Sequence, residues 1–197
     1  MIRNPWRTAA LALAILLLAA CASGGAGGRL QAAGDARVFD LALDTDLDWA
    51  RLKAPRQEQW TIDGAPLNQL MIISGIRPGE HVFLGAKARR SRPDGPWFRT
   101  GMRPDEVRDV VLDGLRGGGW ANVRGSALRP ARWGDAPGLR FDLELDNPGG
   151  LVYRGIATAA ERDGKLTLLV WIAPAEHYYD RDAEAVSRLF DSLRFVK

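Results

Sequence analysis

Residues Leu166 to Ala173 are apolar on both sides of an extended chain. Leu166, Leu168, Val170 and Ile172 fall on one side; Leu169, Trp171 and Ala173 fall on the other. Successive side chains of a strand point to opposite faces. This segment is therefore expected as a central strand, covered on both sides. Its neighbours supply the rest of a sheet. Leu139, Phe141, Leu143 and Leu145 alternate with Arg140, Asp142, Glu144 and Asp146, which reads as a strand with one core face and one wet face. Asn147-Pro148-Gly149-Gly150 turns that strand into 151–160, and Arg162-Asp163-Gly164 turns the next into 166–173. The three segments are expected to form an antiparallel meander, ended by Pro174.

Two amphipathic segments can cover such a sheet. In 104–116, Pro104 suits a first helical position, and Asp105 with Glu106 places negative charge in the first turn. Val107, Val110, Val111, Gly114 and Leu115 recur at three and four residues, and Gly117-Gly118-Gly119 stops the helix. The second helix is expected over 182–193, with Ala183, Val186, Leu189, Phe190 and Leu193 on one face and Asp182 or Asp180 as cap. Upstream, 36–43 and 49–52 read as strands, and Trp60-Thr61-Ile62 faces Leu70-Met71-Ile72 across a hairpin. Val82–Leu84 reads as a short strand, and 121–133 as a further one. The fold class is α+β: a twisted antiparallel sheet of six to eight strands with packed helices.

Residues 1–20 do not belong to this pattern. Arg3 and Arg7 precede an apolar run from Ala9 to Ala20, shorter than the roughly 20 residues of a membrane-spanning helix. Leu18-Ala19-Ala20-Cys21 resembles the lipobox of bacterial lipoprotein precursors without departure. The resemblance implies a signal peptide over 1–20 and a Cys21 that becomes the lipidated N-terminus. It further implies a membrane partner through that lipid, and Ala22 in the next position favours the periplasmic face of the outer membrane. Two or three acyl chains anchor firmly, at about 0.8 kcal/mol per buried methylene. Residues 21–34, rich in glycine, read as a tether, and 35–197 as a single domain. Within that domain, the order of strands, helix, meander and final helix resembles the Mog1/PsbP-like α/β/α sandwich, as does the tail Ser192-Leu193-Arg194-Phe195. The resemblance spans 36–196. It implies binding or assembly rather than one enzymatic chemistry.

Composition narrows the function. The chain has 27 Lys plus Arg against 24 Asp plus Glu. Without Arg3 and Arg7 the balance is close to neutral, so no nucleic-acid partner is implied. The one basic run, Lys87, Arg89, Arg90 and Arg92, reads as a solvated loop. The single cysteine leaves no disulfide for the domain. His81 and His177 stand far apart, outside any zinc spacing. Glu176-His177 near Asp180 and Asp182 reads as a loop and helix cap. Asp44, Asp46 and Asp48 lack the downstream glycine and glutamate of a calcium loop. No serine has the setting of a hydrolase nucleophile. The remaining signal is aromatic: Trp97, Tyr153, Tyr178 and Tyr179 are the candidate binding edge, with Tyr178-Tyr179 foremost. The expectation is a non-catalytic envelope lipoprotein that needs no metal or cofactor and binds another envelope protein. A carrier or sensor of a small apolar or lipidic ligand is the alternative.

Overall fold

The computed structural model describes residues 28–85 and 94–196. The leader, Cys21, the first half of the tether and the basic run 87–92 lie outside the described residues. Among the described residues the chain forms eleven strands and two helices. The strands are β1 (Arg29–Gln31), β2 (Gly34–Val38), β3 (Leu41–Thr45), β4 (Trp49–Ala54), β5 (Gln57–Thr61), β6 (Gln69–Ile76), β7 (Ala121–Trp133), β8 (Ala136–Asp146), β9 (Val152–Arg162), β10 (Lys165–Pro174) and β11 (Arg194–Phe195). Helix α1 is Pro104–Gly117 and α2 is Tyr178–Asp191. Eight strands make an antiparallel sheet in the order β1-β4-β5-β6-β10-β9-β8-β7, and β11-β3-β2 make a small second sheet.

The two faces of β10 organise this arrangement. Leu166, Leu168, Val170 and Ile172 enter a core shared with α1, while Leu169, Trp171 and Ala173 enter a separate core shared with α2 and the small sheet. All seven are at most 2% exposed. The sheet is thus the middle of three layers. The meander is as expected, with Asp163 and Gly164 both at positive φ in the tight turn between β9 and β10. On α1, Val107, Val111, Gly114 and Leu115 are buried, and the Glu106 carboxylate accepts the Arg103 N–H at 2.8 Å.

Several local expectations change. The sheet begins at Arg29, upstream of the expected boundary at Asp35, because β1 pairs with β4. The Arg51 guanidinium holds that edge: it donates to Gln31 at 2.9 Å and the Arg37 carbonyl at 3.1 Å, pairs with Glu58 at 2.7 Å, and lies over the Trp60 ring. Segment 36–43 is two strands folded at Phe39, whose φ is 54°. Val82–Leu84 is a turn, since Leu84 takes positive φ and its N–H bonds the His81 carbonyl. Arg140, expected on the wet face of β8, is buried under α2 against Phe190 and Asp191. The tail docks as β11 on β3.

Helix α2 starts at Tyr178, not at Asp182, and His177 rather than an aspartate is its N-cap. Asp182 is instead an interior hydrogen-bond acceptor. Asn68 donates to it at 2.5 Å, Arg181 donates at 2.7 and 2.8 Å, and the Trp171 indole N–H donates to Asn68 at 3.1 Å. Arg181 also pairs with Asp63. This network ties the β5–β6 loop, α2 and the central strand together. Asn68→Leu leaves an indole donor and a buried carboxylate short of a partner, and is expected to cost about 2–4 kcal/mol. Denaturant unfolding measures that loss.

Candidate functional site

The four candidate aromatics do not share one edge. Tyr178 and Tyr179 lie on the α2 face, where Tyr179 stacks on Trp171 with ring centroids 5.1 Å apart. Arg154 covers Tyr179 and Arg181 covers Tyr178. Tyr153 lies on the opposite face, buried, with its hydroxyl donating to the Pro66 carbonyl at 2.6 Å. Trp97 is also buried and bridges to His81. Tyr179, Tyr153 and Trp97 thus serve packing because each ring has neighbours that exclude water.

Trp97 and Tyr153 nevertheless back the walls of one cleft. It is lined by Gln57, Met71, His81, Phe83, the end of α1 and Trp120, and its volume is about 270 Å³. His81 meets the Trp97 ring edge-on at 5.8 Å, and Trp120 meets the Tyr153 ring edge-on at 5.0 Å. Phe83, Trp120 and Met71 are half-buried. The cleft exists because α1 carries glycine where a side chain would fill it. A Cβ on Gly114 would fall 2.7 Å from the Phe83 ring, whereas one on Gly117 would meet nothing within 4 Å. The glycine run after α1 is legible in the sequence only as a helix stop. That it also leaves a gap under Trp120 depends on a loop that sequence pattern does not place.

The loop carrying His81 and Phe83 is pinned by Glu80. Its carboxylate accepts from Arg56 at 2.7 and 3.2 Å and from the Arg77 N–H at 2.9 Å. The Arg56 bond is the main reason its pKa falls to about 2. His81 Nδ1 accepts the Phe83 N–H at 3.1 Å, and burial pushes the imidazole below its usual range. With Nδ1 engaged and the ring held neutral, His81 is a wall. Among the described residues, no carboxylate, hydroxyl, thiol or amine side chain lines the cleft. What this arrangement can do chemically is take up apolar surface.

Two other clefts are less suited. One of about 390 Å³ is lined by Arg129, Arg132, Arg140 and Asp191, with Arg129 paired to Asp142 and Arg140 to Asp191. One of about 160 Å³ lies between the start of α1 and the sheet. Asp44 pairs with Arg194, Asp46 with Arg188, and Asp48 accepts the Ala33 N–H. Among the described residues, no group of three or more His, Cys, Asp or Glu is placed to hold a metal ion. No described helix is long and apolar enough to cross a membrane.

Helices on both faces of a twisted antiparallel sheet define an α/β/α sandwich of the Mog1/PsbP-like architecture. The Ran-binding protein Mog1p of Saccharomyces cerevisiae shares it, with a TM-score of 0.50 at 7% identity over 87% of this chain and 96% of that one. Cyanobacterial PsbP from Synechocystis gives 0.49 at 12% identity, over 88% and 95%. A protein of Bacteroides thetaiotaomicron gives 0.47 at 6% identity, and this chain spans about half, 50%, of its length. No protein-family model matches the chain, and no curated protein is significantly similar to it.

Glu80 gives the site a pH signature. A depressed carboxylate pKa adds stability that is complete above the unfolded value of 4.5 and is lost as pH falls toward about 2. Glu80→Gln is expected to cost on the order of 1–2 kcal/mol at neutral pH, since solvent reaches the Arg56 partner, and to flatten the decline between pH 4.5 and 2. Thermal unfolding across that range checks both.

Proposed function

We propose that this chain is a lipid-anchored envelope protein whose domain binds a protein partner, taking an apolar side chain of that partner into the Phe83–Trp120 cleft. The cleft carries the reading: its described lining has half-buried aromatic walls, glycine at the end of α1 and no carboxylate, hydroxyl, thiol or amine side chain. Interface hot spots are apolar anchors seated in such pockets. At about 270 Å³ the cleft is open and lies below the roughly 300–1,000 Å³ of small-molecule sites. That favours capture of a side chain over carriage of a free lipidic ligand. Mog1p of yeast, a Ran-binding protein, is a precedent for protein recognition on this fold. The anchor reading rests on Leu18-Ala19-Ala20-Cys21, and outer-membrane placement on Ala22.

Two experiments test the parts separately. Cys21→Ala should abolish incorporation of labelled palmitate; retained label would sink the anchor. A photoreactive residue at Phe83 in living cells should yield a discrete protein adduct that Trp120→Ala weakens at least tenfold, the scale of a hot spot of more than about 1.4 kcal/mol. No protein adduct, together with a stoichiometric lipid extracted from the purified domain, would instead support the ligand carrier. Unfolding curves of the Trp120 variant separate lost binding from lost fold.

A further inference from the structure

We infer that the open end of the α1 face, the strip running from Leu30 through Leu52 to Met71, lies on the bilayer surface. The inference rests on the lipid anchor proposed at Cys21. Strand register puts the strip on one side of the sheet. Leu30 is opposite Ala50, Leu52 is opposite Gln59, and Gln59 is opposite Met71. Residues opposite one another in a ladder share a face, as do alternate residues along a strand. The reverse side of these strands is filled: Trp49 and Trp60 are fully buried there, and Arg51 lies over Trp60. The strip is not. Leu30 is 70% exposed and Leu52 40%, with Ala50 and Ala54 exposed beside them. None of these positions carries a charge. Arg29 and Lys53, each next in sequence to one of the leucines, belong to the reverse side with Arg51, so the strip itself is free of charged side chains.

The length of chain between the lipid and the sheet selects the bilayer as the occupant. From Cys21 to Gly28 the chain advances seven residues, which span at most about 25 Å in any conformation. A domain of this size is about 40 Å across, from a radius of gyration near 15 Å. The anchor therefore cannot reach the far pole, and the β1 edge stays within about 25 Å of the membrane. Arg51 prevents that edge from peeling away to lengthen the tether. A covalently held surface meets the lipid at an effective concentration that a free partner does not match. Gln57 and Met71 belong both to the strip and to the cleft lining, so the cleft opens along the membrane side.

The test uses the full-length lipidated protein on vesicles of phosphatidylethanolamine and phosphatidylglycerol. The chain's only cysteine carries the lipid, so Leu52→Cys offers a single free thiol for a nitroxide. Glu184→Cys on α2, whose native side chain is 88% exposed, is the control. On vesicles, the label at 52 should sit within about 10 Å of the headgroup–acyl boundary and lose roughly threefold or more of its accessibility to a water-soluble relaxant, while the label at 184 keeps its own. Equal accessibility at both sites on floated vesicles overturns the inference and leaves the anchor intact. Protein that fails to float with the vesicles overturns both. Shielding at 52 that appears only on adding envelope extract overturns the bilayer as occupant in favour of a protein.

Discussion

Strand β10 has no wet side, and the rest of the molecule is arranged to satisfy that fact. A sheet with one such strand at its centre needs cover above and below. The chain supplies α1 with the loop from β6 on one face, and α2 with the small sheet on the other. The two cores are chemically different. The α1 core is mainly aliphatic, whereas the α2 core holds Trp49, Trp60, Trp133 and Trp171. Rings of that size have polar edges that must be served in the interior. Trp49 donates to Thr45, Trp60 to Glu58, Trp133 to Thr158 and Trp171 to Asn68. Thr45, Glu58, Thr158 and Asn68 are buried in this layer as the counterparts of its buried indoles.

The aromatic residues thus divide by what surrounds them. Those on the α2 face are enclosed and carry stability. Those around the end of α1 are half-covered, because glycine at 114 admits Phe83 and glycine at 117 leaves the space beside it open. A binding surface arises here from missing side chains as much as from those present. The ion pair between Arg56 and Glu80 sets where Phe83 stands, so the cleft depends on a charge interaction outside its own lining.

The layers are legible in the sequence because they follow from periodicity. The two faces of Leu166–Ala173 predict two cores, and the registers of the meander follow from its turns. The start of α2 is not legible. Asp182 has the chemistry of a cap, and only Asn68, 114 positions away, shows that it is an interior acceptor. The same limit applies to the aromatic signal. Tyr178-Tyr179 stands between the last strand and the last helix, where Trp171 supplies Tyr179 with a stacking partner from a strand that the local sequence does not show. Trp97 and Tyr153 do report on the cleft, but only as backing. The walls themselves, His81 and Phe83, sit in a turn whose pairing is set by Glu80 and Arg56.

Strand β7 is the longest edge of the main sheet, and it is poorly suited to accept another strand. It carries Pro130, two breaks in register and exposed Arg124 and Arg132, while the opposite edge, β1, is three residues long. Molecules confined to a surface collide edge to edge far more often than molecules in free solution. For the lipid-anchored protein proposed above, a blunted sheet rim opposes edge-to-edge polymerisation under such crowding.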